Sequence, residues 1–148
     1  MLGENLESEI SSLLDALGFS VVELKAARRP TGLHVSLVVY KKGGLGVDDI
    51  AEVHRTVLPR IELIHDSRDV HLEVSSPGIS RTFKSDHEFT VFRGRAVLVL
   101  GTASEDWIQG YIEDSNEHSV ILRTQGGNKE LRYSDIRKTK LDESREVR

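Results

Sequence analysis

Apolar residues recur in the first part of the chain with two different periods. Helical spacing comes first and is carried by Leu6, Ile10, Leu13, Leu14 and Leu17. Asn5 is predicted to cap this helix and Gly18 to end it. Apolar and polar residues then alternate over residues 21–26 and 33–39, on either side of the turn at residues 29–32. This alternation predicts a β-hairpin.

A second helical pattern begins near Val47, with apolar residues at 50, 53, 57 and 61. Because a proline inside a helix costs about 3 kcal/mol, Pro59 predicts a kink or an end near Leu58. A third strand is predicted at Val70–Ser75. The order α-β-β-α-β is typical of two helices covering one face of a three-stranded sheet.

The segment Ser75-Ser76-Pro77-Gly78 is predicted to end the third strand and to act as an interdomain hinge. Pro77 fixes its own φ, and Gly78 can adopt positive φ, so a turn is expected. The hydroxyl groups of Ser75 and Ser76 are expected to hydrogen-bond the backbone of this turn. Neither serine lies in the G-x-S-x-G pattern of a nucleophile, which disfavours a hydrolase.

A capping box, Ser85-x-x-Glu88, predicts a short helix that Gly94 ends. Short strands separated by turns follow, and they are predicted at Ala96–Leu100, Trp107–Ile112, Ser119–Arg123, Lys129–Tyr133 and Ile136–Leu141. Five strands so closely spaced are typical of a small closed β-barrel.

These patterns predict an α+β protein with an N-terminal α/β domain over residues 1–76 and a barrel over residues 96–141. The hinge and the short capped helix, residues 77–95, connect the two. The polar tail 142–148 is expected to fray.

Composition narrows the classes of function. The chain has no cysteine, which excludes disulfides and cysteine-based metal or redox chemistry. No signal peptide or membrane-spanning run is visible, so a cytoplasmic location is expected. The net charge of −4 lies in residues 1–76, whereas residues 77–148 are neutral. An acidic first half suits a basic protein partner, and it equally suits simple solubility.

Several groups of residues have both a functional and a structural interpretation. Gly43-Gly44-Leu45-Gly46 lacks the Lys-Ser/Thr of a phosphate-binding loop and is interpreted as a connector. The histidines lack the spacing of a zinc site, and His34 and His71 are expected to be exposed strand residues. Trp107 fits either a core position or an exposed platform for stacking.

Two charged groups are candidates for binding. Asp48, Asp49 and Glu52 lie in the first turns of the second predicted helix. They are interpreted either as stabilising the helix, by interacting with the positive end of its dipole, or as binding a basic partner. The basic candidates for RNA or subunit binding are Arg81, Lys84, Arg93 and Arg95. They are interleaved with Phe83, Phe89 and Phe92, of which the last two are spaced to pack inward.

Three stretches carry a family resemblance: VSSPG with Arg81 three residues on and Gly94-Arg95 further along, residues 47–53, and residues 130–141. Together they resemble the bacterial ribosome maturation factor RimP family over roughly residues 5 to 141, in the order and spacing of that family. In one departure, the chain has Ile79-Ser80-Arg81-Thr82 where family members often have Leu-Asp-Arg-Pro.

The resemblance implies an α/β domain followed by an SH3-like, Sm-like barrel. It also implies a monomeric, non-catalytic assembly factor without a cofactor, which binds the immature small ribosomal subunit. The implied partners are rRNA and the basic ribosomal protein of the decoding centre. An Sm-like RNA-binding regulator outside ribosome assembly is the alternative.

Overall fold

The computed structural model describes residues 2–65, 69–78 and 81–142, with side chains from Leu6 onwards. The chain divides into two compact units, Met1–Pro77 and Gly78–Arg148. The elements of the first unit are α1 (Leu2–Asp15), β1 (Ser20–Arg29), β2 (Gly32–Tyr40), α2 (Val47–His65) and β3 (Val70–Ser75). This order confirms the predicted α-β-β-α-β arrangement.

The first sheet has the strand order β1-β2-β3. β1 and β2 form the predicted antiparallel hairpin, and α2 is the crossover that makes β3 parallel to β2. Strict alternation along β2 buries Leu33, Val35, Leu37 and Val39 on one face. The helices cover this face, because every third or fourth residue of each is apolar and points to the same core. Their fully buried side chains are Leu6, Ile10, Leu14, Val53, Val57 and Ile61.

Two predicted helix ends are wrong. α1 begins at Leu2, so Asn5 lies inside the helix. A cap contributes only about 1 kcal/mol, which propagation of the helix through another turn can offset. α2 continues through Pro59 to His65, so the predicted end near Leu58 is wrong, whereas the alternative of a kink stays a prediction. The residues beyond the proline include Ile61, which is fully buried, and this packing offsets the cost of the proline.

The second unit is mostly β-structure. Its elements are α3 (Glu88–Val91), β4 (Ala96–Gly101), β5 (Trp107–Ser115), β6 (Ser119–Thr124), β7 (Gly127–Arg132), a 3₁₀ turn (Tyr133–Asp135) and β8 (Ile136–Leu141). All five predicted strands are present; Ile136–Leu141 has the predicted bounds, and the other four have shifted ends. Gly94 has a φ of 91° just after α3, as expected for a residue that ends a helix.

The prediction of a closed barrel is not confirmed. The sheet has the order β7-β6-β5-β4-β8, and no pairing joins β7 to β8 in the described part of the chain. The outer edge of β8 is occupied by residues 81–83. Phe83 donates its N–H to the carbonyl of Thr139 (2.8 Å), and Leu141 donates to that of Arg81 (2.9 Å).

The core of the second unit contains Phe89 and Phe92, which confirms that both pack inward. The ring of Phe83 lies 4.9 Å from that of Phe89 and 5.3 Å from that of Phe92. Asp142 was predicted to begin a frayed tail, but it is buried and accepts a hydrogen bond from Gln109 (2.8 Å). The rest of that tail, residues 143–148, lies outside the described residues.

Across the described ranges, no helix is long and apolar enough to cross a membrane.

Candidate binding surfaces

The segment Ser75–Gly78 differs in detail from its prediction. Gly78 does not adopt positive φ, and a Cβ added there would meet no heavy atom within 4 Å. The local geometry therefore does not require glycine. Within the described ranges, the hydroxyls of Ser75 and Ser76 form none of the expected hydrogen bonds. The role of this segment as a hinge stays a prediction, and Ile79 and Ser80 lie outside the described residues.

Arg81 is a structural residue of the second unit rather than an exposed cation. Its side chain is 9% exposed and forms a bidentate ion pair with the side chain of Glu88, which is 1% exposed. Nε lies 2.7 Å from Oε1 of Glu88, and Nη2 lies 3.1 Å from Oε2. A planar guanidinium facing a carboxylate in this way makes two parallel charged hydrogen bonds. The prediction that Arg81 contacts RNA has no support in this geometry.

The carboxylate of Glu88 also organises the backbone before α3. It accepts hydrogen bonds from the N–H groups of Lys84 (2.9 Å) and Ser85 (3.2 Å). The second of these is the glutamate half of the predicted capping box. However, α3 begins at Glu88 itself, and its N-cap residue is His87, which makes no side-chain capping bond. Through these hydrogen bonds, Glu88 links the segment 81–83, which pairs with β8, to the short helix α3.

The other three basic candidates occupy different environments. Lys84 is exposed. Arg93 is also exposed; its Nε donates to the carbonyl of Glu113 (3.1 Å), and its Nη1 lies 3.9 Å from Asp114. Arg95 is half-buried, with its guanidinium 6.0 Å from the ring centre of Phe92. Lys84 and Arg93 are therefore the members of this set that stand exposed to a partner.

The acidic turn of α2 has one structural member and two exposed ones. Asp49 accepts a hydrogen bond from the N–H of Gly46 (2.9 Å) and lies 3.6 Å from Lys41. The hydrogen bond, and then the charge of Lys41, lower the pKa of Asp49. Asp48 and Glu52 are exposed and four residues apart, so they project from the same side of the helix.

The uncovered face of the first sheet carries a stacked histidine pair. His34 and His71 are directly opposite in the register of β2 and β3, with ring centres 4.5 Å apart. Both rings contact Thr31. Nε2 of His34 lies 2.7 Å from the hydroxyl of Thr31, and Nε2 of His71 lies 3.1 Å from the backbone carbonyl oxygen of Thr31. Desolvation, then the nearby His71 and Arg29, lower the pKa of His34. His71 is exposed as predicted, whereas His34 is half-buried.

Trp107 is a surface residue, 39% exposed at the start of β5. The ammonium group of Lys140 lies 5.2 Å from its ring centre. Further along β5, the guanidinium of Arg123 lies 4.8 Å from the ring centre of Tyr111. Sequence reasoning missed Tyr111, Arg123 and Lys140. The signal was present, since Trp107 and Tyr111 share one side of a predicted strand whose other side is apolar.

The two units and these surfaces define a two-unit α+β protein that exposes acidic side chains on its first unit and aromatic and basic side chains on its second. A family model described as the RimP N-terminal domain matches residues 9–80. A ribosome maturation factor RimP from Borrelia hermsii (strain HS1 / DAH) is 32% identical over 132 residues, which cover 89% of this chain and 90% of that protein. The chain belongs to the RimP family of ribosome maturation factors.

Other relatives are similar over the same length. Ribosome maturation factor RimP from Borrelia turicatae (strain 91E135) is 30% identical over 132 residues, covering 89% of this chain and 90% of its own. The protein of that name from Microcystis aeruginosa is 30% identical over 144 residues, covering 90% of this chain and 88% of its own. The similarity therefore extends over both units, and the predicted family is confirmed.

Proposed function

We propose that this protein is a non-catalytic factor that binds the immature small ribosomal subunit in the cytoplasm. There it assists the joining of a late ribosomal protein or the folding of rRNA. The observation that carries the proposal is membership of the RimP family over about nine-tenths of the chain. The five-stranded sheet, in which the last strand pairs with the first, is proposed to be the SH3-like unit of this family.

Such a factor acts through a difference in binding free energy between two states of the subunit. A protein that bound immature and mature particles equally would shift nothing, however tightly it bound. To shift the population from mostly immature to mostly mature, its contacts must favour an intermediate conformation and weaken once assembly is complete. This requires binding surfaces rather than a reactive group.

The first unit is proposed to contact a basic ribosomal protein of the decoding centre through Asp48 and Glu52. Both carboxylates are exposed on one side of α2, and the first half of the chain carries the net negative charge. Complementary charges of this kind mainly speed the encounter and set its orientation. Asp49 contributes indirectly, because its bond to Gly46 holds the start of the helix.

Charge reversal tests this contact. Asp48→Lys with Glu52→Lys should weaken binding to the basic ribosomal protein at low salt, and the loss should shrink as salt screens the charges. Glu105→Lys, an exposed position on the second unit, is the matched control and should bind normally. Equal affinity of the double variant and the control at low salt would contradict the proposed contact.

Gradient sedimentation of cell lysate tests the function as a whole. The protein should travel with free small subunits and not with intact ribosomes, and its loss should leave rRNA precursors in the small-subunit fraction. Lys84→Glu with Arg93→Glu should reduce the amount that travels with subunits, because both cations are exposed. A protein that stays at the top of the gradient, and whose loss changes nothing, would refute the proposal and favour an RNA-binding regulator outside assembly.

A further inference from the structure

One side of the second sheet carries aromatic and basic side chains that are exposed, as at Trp107 and Arg123, or half-buried, as at Tyr111 and Lys140. Successive residues of a strand point to opposite faces, and in β5 the inner positions include Gly110 and Ile112, both buried. The alternate positions are Trp107, Gln109 and Tyr111, which lie on the outer side. We call the surface formed by Trp107, Gln109, Tyr111, Arg123 and Lys140 the outer face.

Each aromatic ring on the outer face has a cation beside it. Tyr111 is directly opposite Arg123 in the pairing of β5 with β6. Lys140 belongs to β8, which lies two strands away from β5, so the indole of Trp107 reaches across β4 towards it. Between the two rings, Gln109 donates a hydrogen bond to Asp142 (2.8 Å). The outer face therefore has two aromatic rings in β5, with Arg123 on the β6 side of this strand and Lys140 on the β8 side.

The local charge of the outer face differs from that of the whole protein. Lys140 and Arg123 contribute positive charge, although the chain as a whole has a net charge of −4. The nearby acidic groups are already engaged: Asp142 is buried against Gln109, and Glu113 lies 3.5 Å from Arg123. These four formal charges cancel, so the outer face is close to neutral and lacks the negative charge of the first unit. The Arg123–Glu113 pair is exposed, and such a pair contributes at most about 1 kcal/mol, so Arg123 can exchange Glu113 for a phosphate group.

The spacing of the rings indicates which form of nucleic acid fits the outer face. Trp107 and Tyr111 are four residues apart along a strand, which corresponds to about 13 Å. Adjacent bases in a regular stack are only about 3.4 Å apart. The two rings would therefore each take a base from a strand that is unstacked and unpaired. Aromatic platforms flanked by basic residues bind single strands in this way.

We propose that the outer face binds an unpaired segment of RNA. Bases stack on Trp107 and Tyr111, while Lys140 and Arg123 neutralise the flanking phosphates. This inference rests on the proposed function insofar as the RNA met in the cell would be rRNA of the immature subunit.

Trp107 provides a direct readout, because it is the single tryptophan of the chain. The probe is a single-stranded RNA of about 12 nucleotides, within the range of site sizes known for such surfaces. Titration into the full-length protein should quench the tryptophan fluorescence saturably. Two phosphate contacts predict a slope of log affinity against log salt of about −1.4. A duplex of the same length should bind more weakly, since its bases cannot reach the rings.

Variants identify the surface when binding is followed by the anisotropy of a labelled RNA. Trp107→Ala and Tyr111→Ala should each weaken binding by about 5-fold to about 150-fold. Trp107→Phe should restore most of the loss, which separates stacking from misfolding. Leu63→Ala removes an apolar residue of α2 that is more exposed than Trp107, 72% against 39%, and should bind as the unaltered protein does. No quenching, or equal affinity of Trp107→Ala and Leu63→Ala, would overturn the proposal.

The same proteins in the sedimentation experiment separate this inference from the proposed function. If the unaltered protein travels with small subunits but does not bind the RNA, the outer face is not an RNA site and the proposed function stands. If it binds RNA through Trp107 but never travels with subunits, the outer face is an RNA-binding site and the proposed function is wrong. Duplex binding equal to single-strand binding would also overturn the stacking geometry.

Discussion

Replacement of Glu88 by alanine should destabilise the second unit more than any surface change. The carboxylate accepts four hydrogen bonds, two from Arg81 and one each from the backbone N–H groups of Lys84 and Ser85. At 1% and 9% exposure, the two charged side chains are hardly screened by water. Breaking such a buried pair costs about 3–5 kcal/mol. This is a large part of the 5–15 kcal/mol that typically holds a domain folded.

Urea unfolding followed by tryptophan fluorescence measures this loss, because the single tryptophan lies in the second unit. Thermal unfolding followed by the same fluorescence shows the loss as a lower Tm. For a unit of this size, each kcal/mol of unfolding free energy corresponds to about 4–8 °C in Tm, so a loss of about 3 kcal/mol lowers Tm by about 12–24 °C. Glu88→Gln should be intermediate, because its amide oxygen still accepts hydrogen bonds but has lost the charge that Arg81 faces.

The matched control is Asp114→Ala. It breaks the Arg93–Asp114 pair, whose side chains are 65% and 58% exposed and 3.9 Å apart. An exposed pair contributes at most about 1 kcal/mol. If Glu88→Ala unfolds at the same urea concentration as Asp114→Ala, the buried ion pair does not organise this unit and the reasoning is wrong.

Two further predictions concern the first unit, both followed by circular dichroism. Gly32→Ala should destabilise it by well over the about 1–2 kcal/mol of left-handed strain, because φ is 128° and the new Cβ would lie 2.2 Å from the carbonyl oxygen of Asp69. Gly78→Ala, at the start of the second unit, is the control and should change the stability of the protein by less than about 0.5 kcal/mol; equal effects of the two variants would contradict this. The lowered pKa of His34 means that, as pH falls through about 6.5, the unfolded chain binds a proton that the folded unit resists, so stability falls. His34→Gln should flatten this dependence between about pH 7 and about pH 5, and an unchanged slope would count against it.

Much of the first unit could be predicted from the sequence because its signals are local. The alternation along β2 assigns every second residue to the core, and Val70–Ser75 is observed with the predicted bounds. Helical spacing in α1 and α2 likewise identified the buried side chains. In each of these elements, the spacing of the apolar residues alone identifies the buried side, whichever distant segment packs against it.

The errors arose where a distant segment decides the outcome. Pro59 remains in a helix because Ile61 beyond it is buried in a core shared with β2. Arg81 looked like an exposed cation, but residues 81–83 pair with β8, almost sixty positions away, and this places its guanidinium inside the unit. Arg123 and Lys140 were missed for the same reason, since each meets its aromatic ring only through the pairing or the order of the strands.

The pairing of residues 81–83 with β8 also sets when the second unit can fold during synthesis. Both its opening segment and β4 are held by β8, the last strand that the structure describes. The first unit needs only the chain up to β3, so it can fold while translation continues. The second unit must wait until β8 has left the ribosomal tunnel, with Phe83, Phe89 and Phe92 accessible in the meantime. A chain interrupted within β8 should therefore carry a folded first unit and an unfolded, aggregation-prone remainder.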